Sequence, residues 1–391
     1  MRGHRRTDGS IGKRPWRVSL LLLLAVLVGT LAVFWSWVDA QARAAVVISS
    51  VLQAPVLTPA VDAVSGEPRF EDSPVAGNPA LVVRPTGDGP WPAVFVVNGT
   101  VPEGRKLPEV RRLAEGFARA GYLVVVPDLP GLTEDEITPE TVDETARVAR
   151  EVSERPDASD GEVALVGVST GATLSLLAAE RPNLEGRVSV VAGVAPYADI
   201  RTVVNVATTG HYRQGTGFRR HEADPFLSYA IARSLVAALP RGEDRQELSE
   251  ELEGVDREDP DPLAGLRSRP TGDLGPEATS VVELLANEDP ERFDALYEAL
   301  PEGVRADLEA LSPLAGEGRI RAPVEVATGP KDRYFPASES YELERVAPGR
   351  RVTVTRALDH ARIDFPLGDA PAFATFDAFV VRALREARLE E

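Results

Sequence analysis

The chain has 391 residues, a formal net charge of -18 and no cysteine. That length fits one large domain with an insertion, or two domains, and the acidic balance excludes a nucleic-acid partner, which would need a basic face. Without cysteine, a thiol nucleophile, a thiolate zinc site and a lipidated cysteine anchor are excluded, and stability rests on the core rather than on disulfides.

Charge is unevenly spread along the chain. Residues 1–17 form a basic tail with Arg2, Arg5, Arg6, Lys13, Arg14 and Arg17 against Asp8, a net +5 that leaves -23 on the remainder. Residues 18–38 carry no charge, and as a helix they extend over about 30 Å, the thickness of a hydrocarbon core. The expectation is a transmembrane helix acting as a signal anchor. The basic tail ahead of it places the amino terminus in the cytoplasm, Trp35 and Trp37 sit where interfacial aromatics belong, and the body lies outside the plasma membrane. Ala40-Gln41-Ala42 has the small-x-small form of a cleavage site, which would give a secreted protein. The apolar stretch exceeds the usual signal core, which favours the uncleaved anchor.

Residues 39–78 read as a linker leading into the first strand region; Ala44 to Leu57 is apolar, with a periodicity that fits docking on either the membrane or the domain. Gly77-Asn78-Pro79 punctuates the chain and Ala80 to Arg84 reads as a strand. Ala93 to Val97 and Tyr122 to Val126 are continuous apolar runs suited to strands buried on both faces, and between them Leu107 to Ala120 has helical spacing that Gly121 ends. A helix capped by Thr138 or Thr141 runs to about Glu154. Strands follow at Val163 to Val166 and Val188 to Val194. This alternation predicts an α/β class: a mainly parallel sheet, right-handed crossovers and helices on both faces.

From residue 200 to about 316 the alternation stops, and helical patterns (Pro225 to Leu239, Arg245 to Leu252, Ala278 to Leu285, Arg292 to Leu300, Val304 to Leu311) lie between acidic, Pro-rich loops. This is an inserted helical cap or lid, placed after the sixth strand. The sheet pattern resumes with Val324 to Thr328, a helix near Ser338 to Val346, a strand at Arg351 to Thr355 and a closing helix at Ala370 to Ala387. The core therefore comprises residues 79–199 and 317–391.

The chemistry centres on Gly167-Val168-Ser169-Thr170-Gly171, between a buried-type strand and a small-residue, Leu-rich helix. A serine on so sharp a turn strains its own backbone, and bulky side chains two positions away on either side would collide with strand or helix. A serine hydroxyl needs a base, itself oriented by a third group. Of the four histidines, His4 precedes the anchor and His211 and His221 lie in the insertion. His360 follows the last strand and emerges at the sheet edge that carries the serine turn. The orienting acid is sought after Val324 to Thr328, where Asp332 is the candidate. Asp199 is its rival, and Asp359 is too close in sequence to His360. The order serine, acid, histidine selects Asp332.

Strand-Gly-x-Ser-x-Gly-helix, Gly329-Pro-Lys-Asp-Arg-Tyr-Phe-Pro336 and Asp359-His-Ala-Arg362 resemble the α/β-hydrolase superfamily of serine hydrolases, nearest to its dienelactone-hydrolase-like and peptidase-like members. The resemblance covers residues 80 to 199 and 317 to 388. It implies Ser169 as nucleophile, His360 as general base and then acid, Asp332 as orienting carboxylate, and an oxyanion hole from the N–H groups of Thr170 and Thr100, with Val101 the alternative to Thr100. Where the family commonly has His-Gly after its third strand, this chain has Asn98-Gly99. The implied reaction is cleavage of an acyl ester, on a small-molecule or lipid acyl substrate. A peptidase or amidase of the same fold is the alternative, and a non-catalytic binding protein on the scaffold is the second, since fold does not fix function. In the insertion, Phe218, Phe226 and Tyr229 suit an apolar acyl group, and Arg213, Arg219 and Arg220 an anionic one. No metal cluster, nucleotide loop or flavin fingerprint is visible, and Gly329-Pro330-Lys331 lacks the glycines and hydroxyl of a phosphate loop, so no cofactor is expected.

Overall fold

The computed structural model describes residues 15–53, 65–316, 320–347, 349–363 and 369–387, with the side chains of residues 15–33, other than Leu23 and Gly29, outside the described set. The expected membrane span, residues 18–38, falls largely on those side chains. Its backbone is the first half of one long helix, α1 (Pro15–Leu52). Among the described residues no helix is long and apolar enough to cross a membrane.

The expected linker differs in the structure, because residues 39–52 continue α1 without a break. Ala40, Ala44, Val47 and Ile48 recur at helical spacing and are buried, so this half of the helix is held by tertiary packing of an apolar stripe. It lies against α2 (Pro108–Arg119) and α12 (Ala370–Glu386). A Cβ at Gly116 of α2 would press on Val47 and Ser50, so the missing side chain permits the close approach.

The strands are β1 (Arg69–Asp72), β2 (Ala80–Arg84), β3 (Trp91–Val97), β4 (Leu123–Pro127), β5 (Ala158–Val168), β6 (Val188–Val194), β9 (Val324–Thr328) and β10 (Arg351–Val354). They form one eight-stranded sheet in the order β1-β2-β4-β3-β5-β6-β9-β10. β2 runs antiparallel to both its neighbours, and every pairing from β4 to β10 is parallel. The apolar runs of β3 and β4 are buried on both faces, as a parallel sheet between two helical layers requires. On one face lie α1, α2 and α12; on the other lie α3 (Pro139–Ser153) and α4 (Thr170–Ala179). This order, with a sharp serine turn after β5, is the α/β-hydrolase fold.

After β6 the chain leaves the sheet for α5 (Ile200–Thr209), α6 (Pro225–Ala237), α7 (Glu243–Glu253), α8 (Pro276–Leu285), α9 (Pro290–Glu298) and α10 (Glu302–Glu309). A small hairpin, β7 (His211–Gln214) and β8 (Gly217–Arg220), interrupts the helices. The sequence shows no comparable strand there, because both segments are short, polar and largely exposed. The helix α11 (Ser338–Glu342) then links β9 to β10.

Candidate active site

Ser169 follows β5 and caps α4 with φ 56° and ψ -129°, a region that costs a non-glycine residue about 1–3 kcal/mol. Its N–H donates to the Val194 carbonyl at 2.8 Å, tying the turn to the neighbouring strand. The flanking glycines are steric necessities: a Cβ at Gly167 would run into the Ala172 backbone, and one at Gly171 into the carbonyls of Val97 and Asn98. A Cβ at Gly99 would lie 3.4 Å from that of Ser169, so the loop after β3 sits directly beside the serine.

That loop is braced by Asn98. Its Oδ1 accepts from the Gly99 N–H at 2.9 Å, and its Nδ2 donates to the Gly104 carbonyl at 3.4 Å. The side chain stands in for a stretch of backbone and ties the Gly99 amide to the turn at Gly104. The Thr170 N–H, at the first position of α4, is one of the helix-start amides that lack an intrahelical acceptor.

The structure brings Asp332 and His360 together. His360 Nδ1 lies 2.9 Å and 2.8 Å from the two carboxylate oxygens of Asp332, and both residues are buried, at 6 % and 4 % exposure. Asp332 Oδ1 also accepts from the backbone N–H groups of Tyr334 and Phe335 at 2.8 Å and 3.0 Å. Buried charge needs such partners. Because Nδ1 faces a carboxylate, it carries the proton, which leaves Nε2 as the basic nitrogen. His360 has φ 53°, and a Cβ at Gly329 would collide with the Leu358 carbonyl, so the acid and histidine loops touch. Ser169 and His360 are not hydrogen-bonded to each other, and catalytic contacts of this kind often tighten only in the substrate complex.

The rival acids have other work. Asp199 caps α5 by accepting from the Arg201 N–H at 2.9 Å, and Asp359 is ion-paired with Arg333. His211 bonds the Thr209 carbonyl through Nδ1 at 2.6 Å. His221 packs edge-on to Tyr212, and burial lowers its pKa.

Two contributors carry no sequence signal. Tyr334 packs against His360 with ring centroids 4.4 Å apart and the ring planes tilted by 56°, and Phe226 of α6 meets Tyr334 edge-on at 6.3 Å; burial pushes the Tyr334 hydroxyl up to about 12. Arg257 of the insertion donates to Asp135 at 2.8 Å and to the Thr100 carbonyl at 3.4 Å, and it lies over the Phe226 ring at 4.6 Å. Of the cap aromatics expected near substrate, Phe226 and its neighbour Tyr229 reach this region, whereas Phe218 packs under Arg213 on the hairpin. Arg213 pairs with Asp294, and Arg220 lies 3.7 Å from Glu222; Arg219 approaches Gln214.

Residues 79–258 are similar to the family described as X-Pro dipeptidyl-peptidase (S15 family), a match over less than half of the chain that includes Ser169 but neither Asp332 nor His360. No curated protein matches the chain. Among solved structures, the chain is similar to a membrane phospholipase A described as a bacterial virulence factor (15% identity, 94% of this chain and 98% of that one, TM-score 0.43). It is also similar to proline iminopeptidase from Mycobacterium smegmatis (18%, 82% and 98%, TM-score 0.42) and to 2,6-dihydroxy-pseudo-oxynicotine hydrolase (16%, 81% and 68%, TM-score 0.43).

Proposed function

We propose that the chain is a membrane-anchored, extracytoplasmic serine hydrolase that cleaves acyl esters. The observation that carries the reading is the buried His360–Asp332 pair on the same sheet rim as Ser169. Ser169 Oγ attacks the acyl carbonyl while His360 Nε2 takes its proton. Asp332 holds the imidazole tautomer and stabilises the imidazolium that forms. The amides of Thr170 and Thr100 receive the developing oxyanion, each contributing about 3 kcal/mol to lowering the barrier. His360 then protonates the leaving alcohol, and water releases the acyl group by the same steps in reverse order.

Fluorophosphonate labelling tests this directly. Wild type reacts and Ser169→Ala does not; labelling of both, or of neither, would sink the assignment. The peptidase reading is the second, favoured by the match to a dipeptidyl-peptidase family. A p-nitrophenyl acyl ester and an X-Pro-p-nitroanilide, compared by kcat/KM on one preparation, decide between them. The anchor is supported by the charge-free residues 18–38 behind a basic tail, and carbonate extraction of membranes tests it: the full chain stays in the pellet.

A further inference from the structure

We propose a second ligand site, behind the sheet and reaching its catalytic edge at Asn98, Val168 and Ala361: an apolar cavity between the sheet and α1 that takes the hydrocarbon chain of one long-chain fatty acid. Protein interiors are close-packed, with few voids larger than a water molecule. Here a cavity of about 440 Å³ lies behind the sheet. An apolar cavity of about 150 Å³ already stays dry and accepts benzene, and pockets for organic ligands begin at roughly 300 Å³.

Its shape follows from the residues around it. The sheet contributes Ala164 and Ala192, whose side chains are too short to fill the layer, and α1 contributes Val47, Val51 and Leu52. α1 sits tightly where its inward residues are Ala40 and Ala44, both buried, and leaves the void at its other end. Along β5 the lining runs from Ala164 to Val168, about 13 Å at 3.3 Å per residue. A partly open, largely apolar cavity with that reach along β5 suits an unbranched chain better than a compact ring.

The charged groups on its lining are Glu109, Arg112 and Arg362, net +1. Arg112 pairs with Glu109 at 2.5 Å, and its buried Nε has no hydrogen-bond partner. α2 begins, and Arg362 follows His360, at the catalytic edge of the sheet, so the arginines lie at that end. A carboxylate there would satisfy the orphaned Nε–H and balance the charge; a neutral chain would leave the donor unmet.

The test uses the delipidated full chain in amphipol, titrated with cis-parinaric acid, a fluorescent long-chain fatty acid, and photolysed with a diazirine-bearing palmitate. Saturable one-to-one binding is expected, with crosslinks in α1, α2, α12 or strands β5 and β6. Ala192→Phe, which fills the cavity, should abolish binding. Arg112→Ala should weaken the acid about tenfold, the scale of one charge-assisted hydrogen bond, and leave its methyl ester unaffected. Binding should persist in Ser169→Ala and after fluorophosphonate labelling, which separates this site from the catalytic reading. Absence of saturable binding, crosslinks confined to the cap, or full binding by a folded Ala192→Phe variant would overturn the proposal. Should that variant not fold, the crosslink map on the wild-type chain decides alone.

Discussion

The Asp332 carboxyl group is buried, and two backbone N–H groups and one imidazole take over from solvent as its partners. Asp332→Asn keeps the shape but offers Nδ1 a donor as readily as an acceptor, so the histidine adopts the wrong tautomer. The expected loss in kcat is roughly ten-thousand-fold with KM little changed, read by steady-state kinetics on an ester. Asn98 acts one step further out. Asn98→Ala frees the Gly99 amide and loosens the loop beside Ser169, and kcat should fall about tenfold, the scale of one hydrogen bond of about 1 kcal/mol or slightly more, while fluorophosphonate labelling persists at a lower rate. The sharp turn at Ser169 was legible from its glycine spacing, and the pairing of His360 with Asp332 from histidine scarcity and chain order. The contacts of Tyr334 and Arg257 were not: a tilted ring against the imidazole and a reach from the insertion are long-range features, which no local pattern encodes.

Among elements, the strands of the central sheet were the most readable, because burial on both faces leaves uninterrupted apolar runs. The hairpin β7–β8 was unreadable for the opposite reason, and α1 was cut short because an Ala-rich stretch after an apolar one has no stop signal of its own. The join between sheet and cap depends on α11. Glu339 is buried at 4 % exposure, and one carboxylate oxygen accepts from the N–H groups of Ala198 and Asp199 at 3.0 Å and 2.9 Å. Burial pushes its pKa from 4.5 up to about 7. A folded-state pKa above the unfolded one favours the folded state at low pH, and that contribution is lost as pH rises from about 4.5 to about 7. The window corresponds to a loss of up to about 3 kcal/mol. Glu339→Gln keeps an oxygen acceptor and cannot ionise, so it should be more stable than wild type at pH 8 and lose the advantage at pH 4.5. Urea midpoints at the two pH values check this; an equal difference at both would contradict it.

At the scale of the molecule, the carboxyl-terminal half of α1 is part of the core. Ala40, Ala44, Val47 and Ile48 cover apolar surface of α2, α12 and the sheet, so a chain lacking residues 1–52 exposes that face and should aggregate, whereas one lacking residues 1–33 keeps it covered and should be monodisperse without detergent by light scattering. Contacts also fix the direction of the helix. Arg43 reaches the Ala120 carbonyl at the far end of α2, Ser50 lies by Gly116, and Val51 and Leu52 line the same cavity as Leu107 and Val110 near its start. α1 therefore departs from the edge of the sheet opposite Ser169. If its first half is embedded in a bilayer, the reacting groups look outward into the periphery on a stiff stalk rather than down at the lipid. Such an orientation suits compounds that arrive by diffusion, and turnover of a water-soluble ester should be indifferent to whether the protein stands in a vesicle or in detergent.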